Sequence, residues 1–584
     1  MGFKINYRLV YNAVNKVTGV LAPQTASTQY HYDRDRRLTY ITLPSGQQIT
    51  YQYQDGKLSS ITQPEGSTAY RYINGNQLVE IIQGNETLSY QYDGDLLTKV
   101  SYGGALNENI QYSYNTNFAV NNLSYAGKST GLSYDRDGLL TGIHGFTISR
   151  HAEHGLPTKI TQGAYQQTRS YNGYGETTIQ NQAVGNSYLN TELSYNALGQ
   201  ITQKVEISNG QTRTYQYQYD NRNRLTQVTL NGTQVEAYGY DANGNRVLST
   251  STQRQIVNQS ATYNNGDQLQ SAGNQTYRYD TNGRLKTQTR TTDDGAIITT
   301  TYQYSSDGRL LKVTTPEKTI EYRHNAIGNR VAKLINGQVV EKYLWQNKTT
   351  LLATFDANDN LTQRFEYTLG HAPTAFTQNN EKYFILTDQI GSPRIITDSS
   401  GTLIKEITYD SYGNVIFDSN ESFELPFGFA GGLKDKDTGL LSFGYRDYDP
   451  ETGRWTARDP IGFEGGDSNL YGYVLGDPIN LVDPEGTNPV VIIVAGGMVG
   501  GIASGVTTYI VSNGDISASF SSFKYGALGG AIATASVIMA PSTLVGTVAG
   551  VVFDTATNAF GYAVSISDII NQNNRNSIDS CDSP

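Results

Sequence analysis

Hydrophobic and polar residues alternate along most of the first two thirds of the chain, and segments with helical periodicity are almost absent. The pattern Y-x-Y recurs at Tyr30, Tyr51, Tyr70, Tyr90 and Tyr112, with spacings of 21, 19, 20 and 22 residues. Because strand side chains alternate between the two faces of a sheet, both rings of each Y-x-Y project from the same face. The pattern therefore predicts a series of short strands that share one tyrosine-lined face.

Each strand is followed by an Asp/Asn-x-x-Gly tetrad and a second short strand, as in YGYDANGNRV from Tyr238 and YRYDTNGRL from Tyr277. Asp caps such a turn through its side chain, and Gly accepts a positive φ. Two strands of about five or six residues plus turns account for the period. A lone hairpin cannot bury its hydrophobic face, so neighbouring units must stack. We predict an all-β fold in which residues 1–380 form one long coiled antiparallel sheet.

The composition is typical of a sheet that has water on at least one face. Charged residues make up 16% of the chain, and 44 Tyr stand against 17 Phe, whereas an average soluble protein is about 25% charged. Tyrosine suits strands that have water on at least one face. A hollow shell and a solenoid both fit this composition. The net charge of -10 is spread without a basic cluster, which argues against nucleic acid as a partner.

Few residue types are available for metal or redox chemistry. The chain has one cysteine, Cys581, and six scattered histidines, so we expect no intrachain disulfide, no metal site and no cofactor. The first residues, MGFKINYRLVYNAVNK, lack the apolar run of a signal peptide. We therefore expect synthesis in the cytoplasm, with export depending on dedicated secretion machinery.

Two DPxG motifs lie near residue 486, one beginning at Asp459 and the other at Asp483. In one interpretation each is only a type I turn, with Asp first, Pro second and Gly fourth. In the other interpretation the two carboxylates meet and share a proton, so that one acts as base and the other as acid in peptide hydrolysis. Arg458 could then orient one carboxylate. Spacing alone leaves both interpretations open.

The repeats resemble the tyrosine-aspartate (YD) repeats of the Rhs family, which bacterial Rhs proteins share with Tc toxin C components and teneurins. A nearly continuous second match to the Rhs-associated core includes YFILTDQIGSPRIITDSSG from Tyr383, FGFAGGLKDKDTGLLSFGYRDYDPETGRWTARDPIGF from Phe427, and NLYGYVLGDPINLVDPEG from Asn469. The resemblance implies a sheet wound into a hollow shell. It also implies three parts: repeats in 1–380, an associated core in 381–486, and a variable segment in 487–584.

The same resemblance implies an aspartyl autoprotease at the end of the core. Carried over to this chain, Asp459 and Asp483 are the acid pair, Arg458 is the assisting cation, and the cut falls between Gly486 and Thr487. The chain departs from the family in two places: the interval from Phe463 to Val482 is two residues longer than usual, and Thr487 stands where Leu is common. Asp467 and Asp477 lie in the same stretch and are candidates to replace either acid.

Beyond Gly486 the composition changes abruptly. Residues 490–511 and 525–553 carry no charge, and each run is long enough to cross a bilayer. Small residues dilute both runs, so a Gly/Ala-rich helical hairpin packed inside the shell and a membrane-inserting segment are both open interpretations. Residues 487–584 contain no His, so we do not expect a nuclease or deaminase domain there.

Two functions follow as hypotheses. The first is a polymorphic-toxin carrier that encloses its own C-terminal segment and releases it by self-cleavage, with secretion machinery, an immunity protein and a target membrane as possible partners. The second is a non-enzymatic repeat protein of cell-surface contact or adhesion, anchored in a membrane by its tail. In the second hypothesis the two DPxG motifs are turns and nothing more.

Overall fold

The computed structural model describes residues 7–23, 26–74 and 77–487, and the backbone of three short strands at 490–491, 507–512 and 547–552. Forty strands, β1–β40, form one sheet in which each strand pairs antiparallel with the next in sequence. We call this sheet, residues 8–418, the wall. The prediction of an all-β fold is confirmed.

The first twenty strands of the wall are β1 Arg8–Tyr11, β2 Val17–Leu21, β3 Thr28–Tyr32, β4 Leu38–Thr42, β5 Gln48–Gln54, β6 Lys57–Gln63, β7 Gly66–Ile73, β8 Gln77–Gln83, β9 Glu86–Asp93, β10 Leu96–Gly103, β11 Glu108–Tyr114, β12 Val120–Tyr125, β13 Lys128–Tyr134, β14 Leu140–Ile143, β15 Phe146–Arg150, β16 Pro157–Gln162, β17 Tyr165–Tyr171, β18 Thr177–Val184, β19 Ser187–Tyr195 and β20 Ile201–Ser208.

The other twenty are β21 Gln211–Tyr219, β22 Leu225–Leu230, β23 Thr233–Tyr240, β24 Arg246–Ser251, β25 Ile256–Tyr263, β26 Leu269–Ala272, β27 Gln275–Tyr279, β28 Leu285–Thr291, β29 Ile297–Tyr304, β30 Leu310–Thr314, β31 Thr319–His324, β32 Arg330–Ile335, β33 Gln338–Trp345, β34 Leu351–Phe355, β35 Leu361–Glu366, β36 Ala375–Gln378, β37 Glu381–Thr387, β38 Pro393–Asp398, β39 Leu403–Tyr409 and β40 Val415–Asp418. The sheet passes through residue 380 without a break, and the domain boundary expected there stays a prediction.

The second tyrosine of most Y-x-Y pairs explains the preference for Tyr over Phe. Its hydroxyl donates to a main-chain carbonyl 14 to 18 residues earlier, as in Tyr114 to Leu97 at 2.7 Å and Tyr219 to Ile201 at 2.7 Å. Phenylalanine could fill the same space but would leave that carbonyl without its partner. Each repeat is therefore tied to the preceding one by a side chain as well as by the strand ladder.

A β-bulge recurs directly before that second tyrosine. The register shifts, for example, between His31 and Tyr32, between Gln52 and Tyr53, and between Gln218 and Tyr219, and in each case the extra residue lies on the following strand. A bulge bends its strand and increases the local twist. Repeated once per unit, it gives the sheet a steady curvature.

The curvature brings the sheet back onto itself. Four side-chain hydrogen bonds join residues 237 to 243 positions apart: Ser45 to Asn282, Glu65 to Ser306, Tyr102 to Trp345, and Tyr125 to Phe365. The nearly constant separation indicates a spiral with about 240 residues in this turn. In the described part of the chain, β1 and β40 each pair with a single neighbour, so the spiral does not close on itself as a barrel.

Residues 427–487, which we call the cap segment, pack against the later wall strands. Their four-stranded sheet consists of β41 Leu433–Lys434, β42 Leu441–Phe443, β43 Arg446–Asp449 and β44 Arg454–Trp455, and β45 is Leu481–Val482. Short 3₁₀ turns occur at Thr252–Arg254, Phe429–Gly431, Gly462–Gly465 and Val474–Gly476. Phe443, Tyr448, Trp455 and Tyr473 form the aromatic centre of the cap segment.

The expected helical hairpin lies largely outside the described residues. β46 is Val490–Val491, and β47, Thr507–Ser512, pairs antiparallel with β48, Thr547–Val552. These pieces of the two uncharged runs are strands where helix was expected, consistent with their β-branched residues. No helix within 7–23, 26–74 and 77–487, or in the three later strands, is long and apolar enough to cross a membrane.

Candidate active site

Both DPxG motifs form turns. The carbonyl of Asp459 accepts from Gly462 N at 3.1 Å, and that of Asp483 accepts from Gly486 N at 3.2 Å. Ile461, at φ -93° and ψ 2°, has the conformation of the third residue of a type I turn. Both motifs are therefore turns, and this geometry leaves both Asp side chains available for other contacts.

The two turns bring their carboxylates together at one buried arginine. The Arg446 Nη2 atom lies 3.0 Å from Asp459 Oδ2 and 2.9 Å from Asp483 Oδ2. All three side chains are at most 8% exposed. One guanidinium nitrogen therefore bridges the acid pair in a site that excludes most solvent.

Arg446 also contacts the backbone at the expected cleavage position. Its Nε donates a hydrogen bond to the carbonyl oxygen of Gly486, and its guanidinium lies 4.2 Å from the centroid of the Trp455 ring. The stacked ring fixes the plane of the guanidinium. Arg446 is thereby oriented to polarise the carbonyl of the Gly486–Thr487 peptide.

The nitrogen side of the same peptide is held by an acid. Thr487 N donates to Asp483 Oδ1 at 2.9 Å, while Tyr445 N donates to the carbonyl of Glu485 at 2.8 Å. The Gly486–Thr487 bond thus lies between a cation at its carbonyl and a carboxylate at its nitrogen. A cation at the carbonyl and an acid at the nitrogen are kinds of group that peptide hydrolysis uses.

Two glycines allow the chain to pass this closely. Gly486 has φ +69°, and a Cβ there would clash with the carbonyl oxygen of Phe443. A Cβ on Gly465 would lie 2.7 Å from the Thr487 carbonyl oxygen and 2.8 Å from Asp459 Oδ2. Any side chain at either position would displace the strand or the acid.

The two acids have a shared electrostatic environment. Burial raises the pKa of Asp459 to about 7, with Asp483 adding to the rise and Arg446 opposing it. Burial also raises the pKa of Asp467. A cavity large enough for about one water molecule is lined by Arg446, Asp459, Gly465, Asp467, Asn469, Leu470, Gly472, Val474 and Asp483.

Arg458 does not join the acid pair, contrary to the expectation from sequence. Its Nε donates to the Tyr471 hydroxyl at 3.1 Å, and that hydroxyl bonds the wall at the Gly283 carbonyl. Successive side chains of an extended chain point to opposite sides, so the residue next to Asp459 faces the wall. The other residues expected at the site, Asp459, Asp483, Gly486 and Thr487, do meet there.

The two alternative acids also differ in position. Asp467 lines the cavity beside the pair. Asp477 accepts from Asn480 Nδ2 at 2.8 Å and from Gln200 of the wall at 3.4 Å, so it anchors the cap segment.

Sequence reasoning missed Arg446. It lies 13 positions before Asp459 and 37 before Asp483, inside the strand β43. The one available signal is a charge between aromatic residues in SFGYRDYD, a stretch whose alternation predicts a buried strand. A buried arginine requires carboxylate partners.

The Teneurin YD-shell family model matches residues 5–471. The chain belongs to this family. It is an Rhs/YD-repeat shell protein, and the Asp459–Asp483 site lies at the C-terminal end of its shell sequence.

Similar proteins are much longer than this chain. Teneurin-3 of Danio rerio is 27% identical over an alignment of 506 residues that covers 82% of this chain and 18% of that protein. The tRNA3(Ser)-specific nuclease WapA of Bacillus spizizenii is 30% identical over 279 residues, 46% of this chain and 12% of that protein. The chain thus spans less than a fifth of the length of these relatives.

Solved structures share the fold. TcdB2-TccC3-Cdc42 matches with a TM-score of 0.61 and 17% identity, covering 83% of this chain and 28% of that one. TcdB2-TccC3 without its hypervariable C-terminal region matches with a TM-score of 0.61 over 82% of this chain and 28% of that one. At this identity the likeness establishes the fold.

Proposed function

We propose that this YD-shell protein is a carrier that hydrolyses its own backbone between Gly486 and Thr487 and so frees the segment that begins at Thr487. One observation carries the proposal: the Gly486–Thr487 peptide is held by Arg446 at its carbonyl and by Asp483 at its nitrogen. Asp459 completes the pair on the same guanidinium nitrogen.

The chemistry needs one water molecule and no other reactant. Water adds to the carbonyl carbon of Gly486 and gives a proton to ionised Asp483, while protonated Asp459 gives its proton to the carbonyl oxygen, which Arg446 stabilises. The tetrahedral intermediate then returns a proton to Asp459 as the C–N bond breaks. Asp483 passes its proton to the nitrogen of Thr487, leaving a new carboxyl group on Gly486 and a new amine on Thr487.

The raised pKa of Asp459 supports this division of roles. With a pKa of about 7, Asp459 retains its proton in a large fraction of molecules at neutral pH. Two acids that share one proton are the arrangement expected for an aspartyl protease.

The relatives support the carrier role. TccC3 has a hypervariable C-terminal region, as the structure without it states, and WapA is a tRNA nuclease. By analogy, we propose that residues 487–584 are the delivered part of a polymorphic toxin used against other bacteria or a host. Their partners would be the enclosing wall, secretion machinery and an immunity protein.

A denaturing gel of the purified protein tests the proposal. Self-cleavage yields a fragment of residues 487–584, about a sixth of the 64.1 kDa chain. We expect Asp459→Asn to leave a single full-length band, since Asn cannot donate or accept the required proton. A wild-type protein that remains a single band contradicts the proposal.

The alternative function is a non-enzymatic surface-contact protein. It is favoured by the ordinary turn hydrogen bonds that both DPxG motifs make. In that case the wild type and Asp459→Asn give the same single band, and the acid pair serves to hold the cap segment together through Arg446.

A further inference from the structure

The residues directly before and after Arg446 in the sequence each contact the wall. Asp447, which follows Arg446, forms an ion pair with Arg330 of β32 at 2.9 Å. The Arg330 side chain is 4% exposed and that of Asp447 8%. The guanidinium of Arg330 also lies 3.6 Å from the centroid of the Tyr322 ring in the neighbouring wall strand, so its position is set by the wall.

Tyr445, which precedes Arg446, has a wall partner of its own. Lys348, in the loop between β33 and β34, places its Nζ 3.9 Å from the centroid of the Tyr445 ring and donates to the Ile327 carbonyl. Burial lowers the pKa of Lys348 well below its usual value, and its Nζ lies over the face of the ring. Tyr445 in turn holds the chain just before the cut through the Glu485 carbonyl.

These contacts converge on one catalytic group. Arg446 must reach Asp459, Asp483 and the Gly486 carbonyl at once, and its own side chain is long and flexible. The wall contacts of its two neighbours, Tyr445 and Asp447, fix the backbone of Arg446. Reactive groups that shift by about 1 Å lose on the order of 100-fold in rate, so supporting residues of this kind determine whether the site works.

We propose that Arg330 and Lys348 are positioning residues that make self-cleavage conditional on a folded wall around β32–β34. The inference rests on the proposed function and adds a condition under which cleavage occurs. The tail, residues 487–584, would stay attached until the wall strands beside the site have folded. A chain whose wall is misfolded there would keep its tail.

A timed assay of full-length chains tests the inference. Chains are pulse-labelled in cell-free translation, and the appearance of the small fragment is followed on denaturing gels for the wild type, Arg330→Met and Lys348→Met. The matched control is Lys333→Met, on the same strand as Arg330. Lys333 is also a buried wall cation that pairs with a cap carboxylate, Asp435 at 2.9 Å, but its partner does not adjoin Arg446.

We expect Arg330→Met and Lys348→Met to slow cleavage by about tenfold or more and Lys333→Met by less than about threefold. Arg330→Lys should restore part of the rate, because it retains a cation opposite Asp447. If Arg330→Met does not fold, as judged by protease resistance of the wall, Lys348→Met and Arg330→Lys decide the outcome.

The pH profile separates positioning from simple loss of stability. Because Arg446 opposes the rise in the Asp459 pKa, a displaced Arg446 lets that pKa rise further. The other charged groups facing Asp459 are the acids Asp483 and Asp467, and both act to raise the pKa of Asp459. The alkaline limb of the rate profile should therefore move to higher pH in both slow variants and stay in place in Lys333→Met.

The outcomes distinguish the two proposals. A wild-type chain that never yields the fragment overturns both. A wild-type chain that is cut, with Arg330→Met and Lys348→Met cut equally fast, overturns the positioning roles and leaves self-cleavage standing. Equal slowing by all three Met variants also overturns the positioning roles, since it would reflect general loss of docking.

Discussion

The wall and the cap segment use the same turn for opposite purposes. In the wall, Asp398 of Asp-Ser-Ser-Gly accepts from Ser400 and Thr402, and the Ser400 hydroxyl in particular lowers its pKa to about 2. In the cap segment, Asp459 of Asp-Pro-Ile-Gly accepts from Ile461 in the same way, but burial raises its pKa to about 7.

The surroundings of the turn, and not the motif, therefore decide the protonation state of its acid. The Asp398 turn faces water, so hydrogen bonds to the ionised form decide the pKa of Asp398. The Asp459 turn faces inward, so desolvation and a second carboxylate raise the pKa of Asp459. In the repeats this kind of turn connects two strands. In the cap segment, two such turns place their carboxylates against Arg446 and form a candidate active site.

The largest expected effect separates a cap acid from a wall acid. Asp483→Asn removes the group that handles the proton of the Thr487 nitrogen, so we expect self-cleavage to slow by at least about 100-fold. Asp398→Asn, in the equivalent turn position of the wall, should leave the rate unchanged. Comparable rates for the two variants on timed gels would remove the distinction between the regions.

A smaller effect is expected from crowding the site without touching its acids. Gly465→Ala puts a methyl group 2.7 Å from the Thr487 carbonyl oxygen and 2.8 Å from Asp459 Oδ2. We expect cleavage to slow by roughly 10-fold to 100-fold. Gly173→Ala is the matched wall control, because a Cβ there meets nothing within 4 Å, and it should be cut at the normal rate.

The third prediction concerns stability and pH, measured on chains that stay uncut. In an Asp483→Asn background, adding Asp459→Asn removes a buried acid whose folded-state pKa lies above its unfolded value of 3.8. Such an acid contributes stability below about pH 4 and loses it as pH rises towards its folded pKa, by up to about 1.4 kcal/mol per pH unit.

The double variant should therefore gain in apparent melting temperature over the single variant between about pH 4 and about pH 7, and the gain should level off above that range. The window ends somewhat lower without the Asp483 charge, which contributes to the raised pKa. A constant difference at all pH values would show that the Asp459 carboxyl is not desolvated.

The smallest effect belongs to the wall. Tyr134→Phe and Tyr219→Phe each delete one hydroxyl that donates to a carbonyl of the preceding repeat, at a cost of about 1 kcal/mol. Since the two sites share no partner, the losses should add, each lowering the melting temperature by about 1 °C. Tyr174→Phe, whose side chain is 57% exposed, should change nothing measurable by calorimetry.

The wall could be predicted because its interactions are local. Y-x-Y alternation and the Asp-x-x-Gly turn specify hairpins within about 20 residues, and the structure has them as expected. The bulge before Tyr53 and its counterparts could not be foreseen, since nothing in a single strand marks an extra residue until its partner is known.

The site could be predicted only in part because its cation and its acids come from different elements of the cap segment. The acids and the peptide were identified through the resemblance of the DPxG motifs to the Rhs core. The cation was assigned to Arg458 because it is adjacent in sequence. In the structure, strand alternation turns Arg458 to Tyr471 and brings Arg446 from β43 to the acid pair.

Hydrolysis of the Gly486–Thr487 bond is best tested by the masses of the cleavage products formed in water enriched in ¹⁸O. We expect a small fragment that begins at Thr487 and a large fragment that ends at Gly486 with one ¹⁸O atom in its new carboxyl group. An intact chain, a fragment that begins elsewhere, or a large fragment without the label would show that this bond is not hydrolysed by the protein.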